Sequence, residues 1–193
     1  MVFGLSGLEI NVNMAFLDIM SGYPDIKSHM EARESLYSEF KKFDWVDRIS
    51  FIHAYDFFRL SFAFYTLLTD DDKDKTIQKI QKYLKSNFIK QFKIDETTFE
   101  DLFYDIEIEM RLIKDDNKKI PKNYMPANVF WNIYDHFADR SHKSPSKIGA
   151  EIEFSNTTLK FRQFTIDNIS LTLELYLLMV ESLNDARRAL KRL

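Results

Sequence analysis

The chain is predicted to be mainly α: a single-domain helical bundle of about six helices, with a short β-hairpin at residues 148–164 before the C-terminal helix. Three observations predict this. Only four glycines and four prolines interrupt 193 residues, so obligatory turns are few and long elements are favoured over many short strands. Apolar residues recur at helical spacing over most of the chain. Finally, 45% of residues are hydrophobic and 15% aromatic, enough to fill a core and far from the composition of disordered chains.

The first twenty residues carry two patterns. Leu8, Ile10 and Val12 alternate as in a strand, whereas Ala15, Phe16, Ile19 and Met20 have helical spacing, and both remain open. Ser21-Gly22-Tyr23-Pro24 breaks the chain. Pro24 suits the start of a helix reaching to about Phe43, with Ile26, Met30, Tyr37 and Phe40 expected on its inner side. The next helix, Trp45 to Leu68, carries Phe51, Phe57, Phe58, Phe62, Phe64 and Tyr65 nearly all round, which places it at the centre. The run Asp70-Asp71-Asp72 ends that helix and offers caps for a lysine-rich one in which Ile77, Ile80, Leu84 and Phe88 face inward. Thr97 with Glu100 forms a possible capping box for a helix whose apolar face runs from Phe99 through Leu102, Phe103, Ile106 and Met110 to Ile113. Its other side bears Asp101, Asp105, Glu107 and Glu109, so the lysine-rich and acidic helices read as solvated neighbours of opposite charge.

A polar connector from Asp115 to Met125 precedes a helix from Pro126 to about Asp139. In the predicted hairpin, pairing Phe154 with Leu159 sets Glu153 opposite Lys160 and Glu151 opposite Arg162 on one face, and Ile152 opposite Phe161 on the other. The competing reading starts the last helix early, at Ser155 or Thr157. From about Asp167 the chain is strongly helical, with Ile169, Leu173, Tyr176, Val180 and Leu183 on one apolar face and Leu171, Leu175 and Leu178 widening it.

Composition excludes several chemistries. There is no cysteine, hence no disulfide, thiolate nucleophile or cysteine-containing zinc site. The net charge of −3 gives no global pull toward nucleic acid or anionic membrane; nucleic acid would bind only through local basic patches such as Arg187, Arg188, Lys191 and Arg192. No phosphate loop, dinucleotide fingerprint or nucleophile elbow occurs. No basic residue precedes Lys27 and every long apolar run is interrupted by charge, so no export signal, no membrane association and a cytoplasmic location are expected. No metal centre and no cofactor are expected.

Two polar constellations interrupt the apolar pattern. Arg48, Tyr55, Asp56 and Arg59 fall within about a third of the central helix's circumference, with His53 beside Asp56, and such a stripe could hold a carboxylate or phosphate through arginine. The second comprises Asn132, Asp135, His136, Asp139 and Arg140, followed by His142; histidine beside acids can bind metal or move protons. Arg48-Ile49-Ser50-Phe51-Ile52-His53 also resembles the Arg-x4-His motif of HEPN-type helical ribonucleases. That resemblance implies Arg48 and His53 as a metal-independent catalytic pair acting on the RNA 2′-hydroxyl across a dimer. The chain departs from the family's pattern in having Ile49 after the arginine and the motif in an early helix.

Since no catalytic constellation is specific, the expected function is non-catalytic, a helical protein acting by binding a macromolecular partner, whether another protein or a second copy of itself. The alternatives are the HEPN-like ribonuclease and a small-ligand or metal-binding bundle using Arg48, Asp56, His136 and Asp139.

Overall fold

The computed structural model describes residues 6–43, 46–71, 73–114, 127–138, 169–191 and 193. Among them lie seven helices and no strand: α1 (Gly7–Ser21), α2 (Ile26–Phe40), α3 (Arg48–Leu68), α4 (Lys75–Phe92), α5 (Glu96–Lys114), α6 (Ala127–Phe137) and α7 (Ile169–Leu190). The expected hairpin at 148–164 falls outside the described residues. No described helix is long and apolar enough to cross a membrane.

The helix α3 is the axis of the fold and packs against each of the other six. Its unbroken run Ala54 to Tyr65 is buried all round, as expected of a helix with aromatic residues on every side. Around it Phe40 of α2 packs against Phe51 of α3 and Phe130 of α6 with ring centroids 5.2 and 5.1 Å apart. Phe88 of α4 meets Phe57 at 5.4 Å and Phe99 of α5 at 5.3 Å. Each such ring, once fully buried, contributes about 2 to 3 kcal/mol by its area alone. Buried residues from all seven helices form one hydrophobic cluster.

The two patterns of the first twenty residues resolve as helix. Ser6 caps α1 by accepting the Glu9 N–H, and Val12, Ala15, Phe16 and Ile19 are buried against the core. At its C-terminus Gly22 takes φ of 77°, with Gly22 N–H on the Ile19 carbonyl and Tyr23 N–H on that of Asp18, the paired bonds of a Schellman cap. The Tyr23-Pro24 peptide that follows is cis.

Several caps and faces differ from expectation. Asp25, Asp74 and Asp95 cap α2, α4 and α5, in place of Pro24, the aspartate run and Thr97, because each presents a carboxylate to free N–H groups of the first turn. On α2 the buried positions are His29, Leu36 and Phe40, while Ile26 and Met30 are half exposed. On α7 the buried line is Leu175, Leu178, Met179, Ser182 and Asp185, whereas Leu173, Tyr176 and Val180, expected inside, are exposed. The inner faces of α2 and α7 are thus the ones carrying a polar residue. The opposite charges of α4 and α5 do meet: Lys85 Nζ lies 2.6 Å from Glu96 and 2.8 Å from Glu100.

Gly22 is indispensable for two independent reasons. Its φ is left-handed, and a Cβ there would stand 2.3 Å from the Cβ and 2.4 Å from the Cγ of His29. Gly22→Ala is expected to destabilise the protein by about 2 to 4 kcal/mol, read as a lowered denaturant midpoint. A change under about 0.5 kcal/mol would show that the corner is not tightly packed.

Candidate functional site: a buried polar cluster between α2, α3 and α7

The polar residues of α3 mark a real line along the helix, and that line runs beneath α2. Its ends differ in environment. Arg59 is 7% exposed and Asp185 of α7 is 3% exposed, and the two form an ion pair in which Arg59 Nε and Nη2 both donate to the one oxygen Asp185 Oδ2, at 3.0 and 2.7 Å. The remaining guanidinium nitrogen, Nη1, contacts the buried His29 ring of α2. Asp185 Oδ1 faces Arg188 Nη1 at 3.4 Å, one turn further along α7. Three helices therefore share one charged knot.

Next to it on α3, Tyr55 is fully buried and its ring lies 5.6 Å from that of His29. Burial holds its phenol well above the usual range, and the nearby Glu181 and Asp56 carboxyls push in the same direction. Asp56 is also buried, and its Oδ1 accepts no hydrogen bond from the described residues. Burial raises its carboxyl to about 7, opposed by the positive charge of Arg33 on α2. Glu181 of α7 is raised for the same reason, opposed by Arg59. The cluster comprises buried His29, Tyr55, Asp56, Arg59 and Asp185, bordered by the partly buried Arg33 and the exposed Glu181, and its chemistry is that of a structural ion network.

Arg48, at the N-terminal end of the same line, is not part of that knot. It is half exposed, pairs with Glu34 at 2.9 Å and lies over the Tyr37 ring at 5.6 Å, both on α2. His53 is exposed on another side of α3, with its ring against Phe137 and Phe92 at centroid distances of 5.6 and 6.4 Å. Five residues turn a helix through about 140°, so within one chain Arg48 and His53 open onto separate surfaces.

The second constellation lies on the far side of α6. Asn132 donates to Asp105 of α5 at 3.2 Å, and His136 is exposed near Asp95. Asp135 is half-buried. Asp139, Arg140 and His142 fall outside the described residues. Asn132 reaches α5 and His136 lies near the Asp95 cap of that helix, whereas Asp56 and Arg59 meet Arg33 of α2 and Asp185 of α7. No group of three or more metal-ligating side chains occurs among the described residues.

Sequence reasoning missed His29, Arg33, Glu181 and Asp185. A signal for Asp185 did exist: it continues the spacing of Leu175, Leu178 and Ser182, which places an acid on an inward line. Compared with known proteins, the chain matches no family model, no curated protein and no solved structure.

Asp56 makes stability depend on pH in a defined direction. Between pH of about 4 and about 7 the folded protein holds a proton on Asp56 that the unfolded chain has released, so stability from this group falls as pH rises and levels off above pH of about 7. Asp56→Asn is expected to remove this slope and to raise stability at pH 8 by at most about 4 kcal/mol. Urea unfolding at a series of pH values reads both effects. An unchanged slope in the variant would show that Asp56 does not titrate in this window.

Proposed function

We propose that the chain is a non-catalytic helical protein that works by binding a partner protein along the outer face of α7. One observation carries this reading. Leu173, Tyr176, Leu177 and Val180 form an apolar row 37 to 56% exposed, on the side of α7 opposite its buried line. A helix apolar on one face needs one neighbour; a helix apolar on two faces has a second apolar face left over. The core-facing side is occupied by α3.

The row spans about two turns, roughly 10 Å, and on the same outer side Arg187 follows, exposed and without an ion pair among the described residues. An amphipathic helix from a partner, with apolar residues spaced by three and four and an acidic residue at the matching end, is complementary to this order of side chains.

Leu177→Glu and Val180→Glu place charge in the middle of the row at exposed positions, so the fold is expected to keep its stability within about 0.5 kcal/mol each. With a photo-crosslinker at Tyr176 in the native host, the chain is expected to give a discrete adduct with one protein, or with a second copy of itself. The Leu177→Glu/Val180→Glu background is expected to abolish that adduct, while Ile49→Glu, a still more exposed apolar site on α3, leaves it intact. An adduct that persists in the α7 variant, or an equal one from a crosslinker at Tyr104, would contradict the assignment.

A further inference from the structure

A cavity of about 250 Å³ opens where the C-terminal ends of α1 and α7 meet. Its apolar lining is Ala15, Ile19 and Pro24, with the exposed Tyr23 beside them; Arg188 of α7, Lys191 just beyond the end of that helix and the buried Asp185 complete it. The volume exceeds the roughly 150 Å³ that holds a benzene ring, and lies below the range typical of drug-sized or nucleotide ligands. It suits a body of about six carbons with a small polar head.

The charge of that head follows from which groups around the cavity are already engaged. Asp185 gives one oxygen to two Arg59 donors and turns the other toward Arg188. Asp25, which also acts on Arg188, gives its Oδ1 to the Ser28 N–H that starts α2. Asp18, on the α1 wall, already has an interaction partner. The donors are less committed. Arg188 is half exposed and turns one of its nitrogens to Asp185 at 3.4 Å, and Lys191 is exposed with no ion pair among the described residues. A guanidinium carries five N–H donors and an ammonium three, so spare donors outnumber spare acceptors. Three carboxylates nearby oppose a doubly charged head, which favours a monoanion over a phosphate.

We propose that this cavity binds a small amphiphilic carboxylic acid, its carboxylate held by Arg188 and Lys191 and its hydrocarbon body lying on Ala15, Ile19 and Pro24. The site is separate from the outer row of α7 and does not depend on partner binding. Titration of the full chain with hexanoate, followed by heteronuclear NMR and by thermal melting, tests it. Hexanoate is expected to shift the Gly22 and Tyr23 amides saturably and to raise the melting temperature. Hexylamine and inorganic phosphate are expected to do neither. In Arg188→Gln/Lys191→Gln the hexanoate affinity is expected to fall about tenfold or more, the loss of at least one charge-assisted bond. Lys191→Gln alone, at an exposed position outside the ion network, is expected to weaken binding in the same direction with the unliganded melting temperature unchanged. The proposal is overturned by a non-saturable response to hexanoate, by equal affinity in the wild type and in Lys191→Gln, or by hexylamine or phosphate acting at the same amides with similar affinity.

Discussion

The buried ion pair of Arg59 and Asp185, two donors on one carboxylate oxygen, is the constraint on which the arrangement of the outer helices depends. Removing either charge from water costs several kcal/mol, and the loss is offset only where the partner and its hydrogen bonds are correctly placed. Arg59 lies on α3 and is only 7% exposed; any placement of α7 that withdrew Asp185 would leave its guanidinium without that counter-charge among aromatic side chains. Other features of α2 and α7 follow from meeting that requirement. His29 must reach the remaining nitrogen, and it does so because Gly22 has no side chain to occupy the space that its ring and Cβ fill.

The pair also decides which side of α7 faces inward. Both sides are apolar enough to pack: Leu175, Leu178 and Met179 on one, Leu173, Tyr176, Leu177 and Val180 on the other. Burial energies of the two rows differ little, since each side chain is worth about 1.5 to 3 kcal/mol. Only the first row is in line with Asp185. A hydrophobic contact is non-directional, whereas a guanidinium–carboxylate fork is specific in distance and angle. Ion pairing therefore sets the rotation of α7, and the apolar row left outside is the surface assigned to a partner. The same anchoring turns Arg188 toward the cavity at the ends of α1 and α7.

Much of this was legible in the chain, and what escaped has a physical reason. The central position of α3 could be read from its aromatic residues, because a helix with apolar rings on nearly every side has only one place to go. The buried apolar residues of α4 and α5 followed from simple periodicity, but Glu109, expected on the solvated acidic side of α5, is buried at 3% exposure. Periodicity failed on α2 and α7 because each has two candidate stripes, and the choice rests on a pairing between residues 126 positions apart. Arg59, Tyr55 and Asp56 were singled out as interruptions of an apolar helix, yet their partners His29, Arg33 and Asp185 lie on other helices and carry no local mark. Arg48 shares their angular position but not their burial, because it sits at the first turn of the helix, where the line emerges beside Glu34 and Tyr37.

The measurement that tests this most directly is a double-mutant cycle on the pair, with Arg59→Met, Asp185→Leu and both together, read by denaturant unfolding at neutral pH. Each single change strands a buried charge and is expected to cost about 3 to 5 kcal/mol, while the double replacement, which removes both charges and keeps the volume, is expected to cost at least about 2 kcal/mol less than the sum of the two. Single changes that each cost under about 1 kcal/mol and add to within about 0.5 kcal/mol would contradict the account, because the pair could not then be what orients α7.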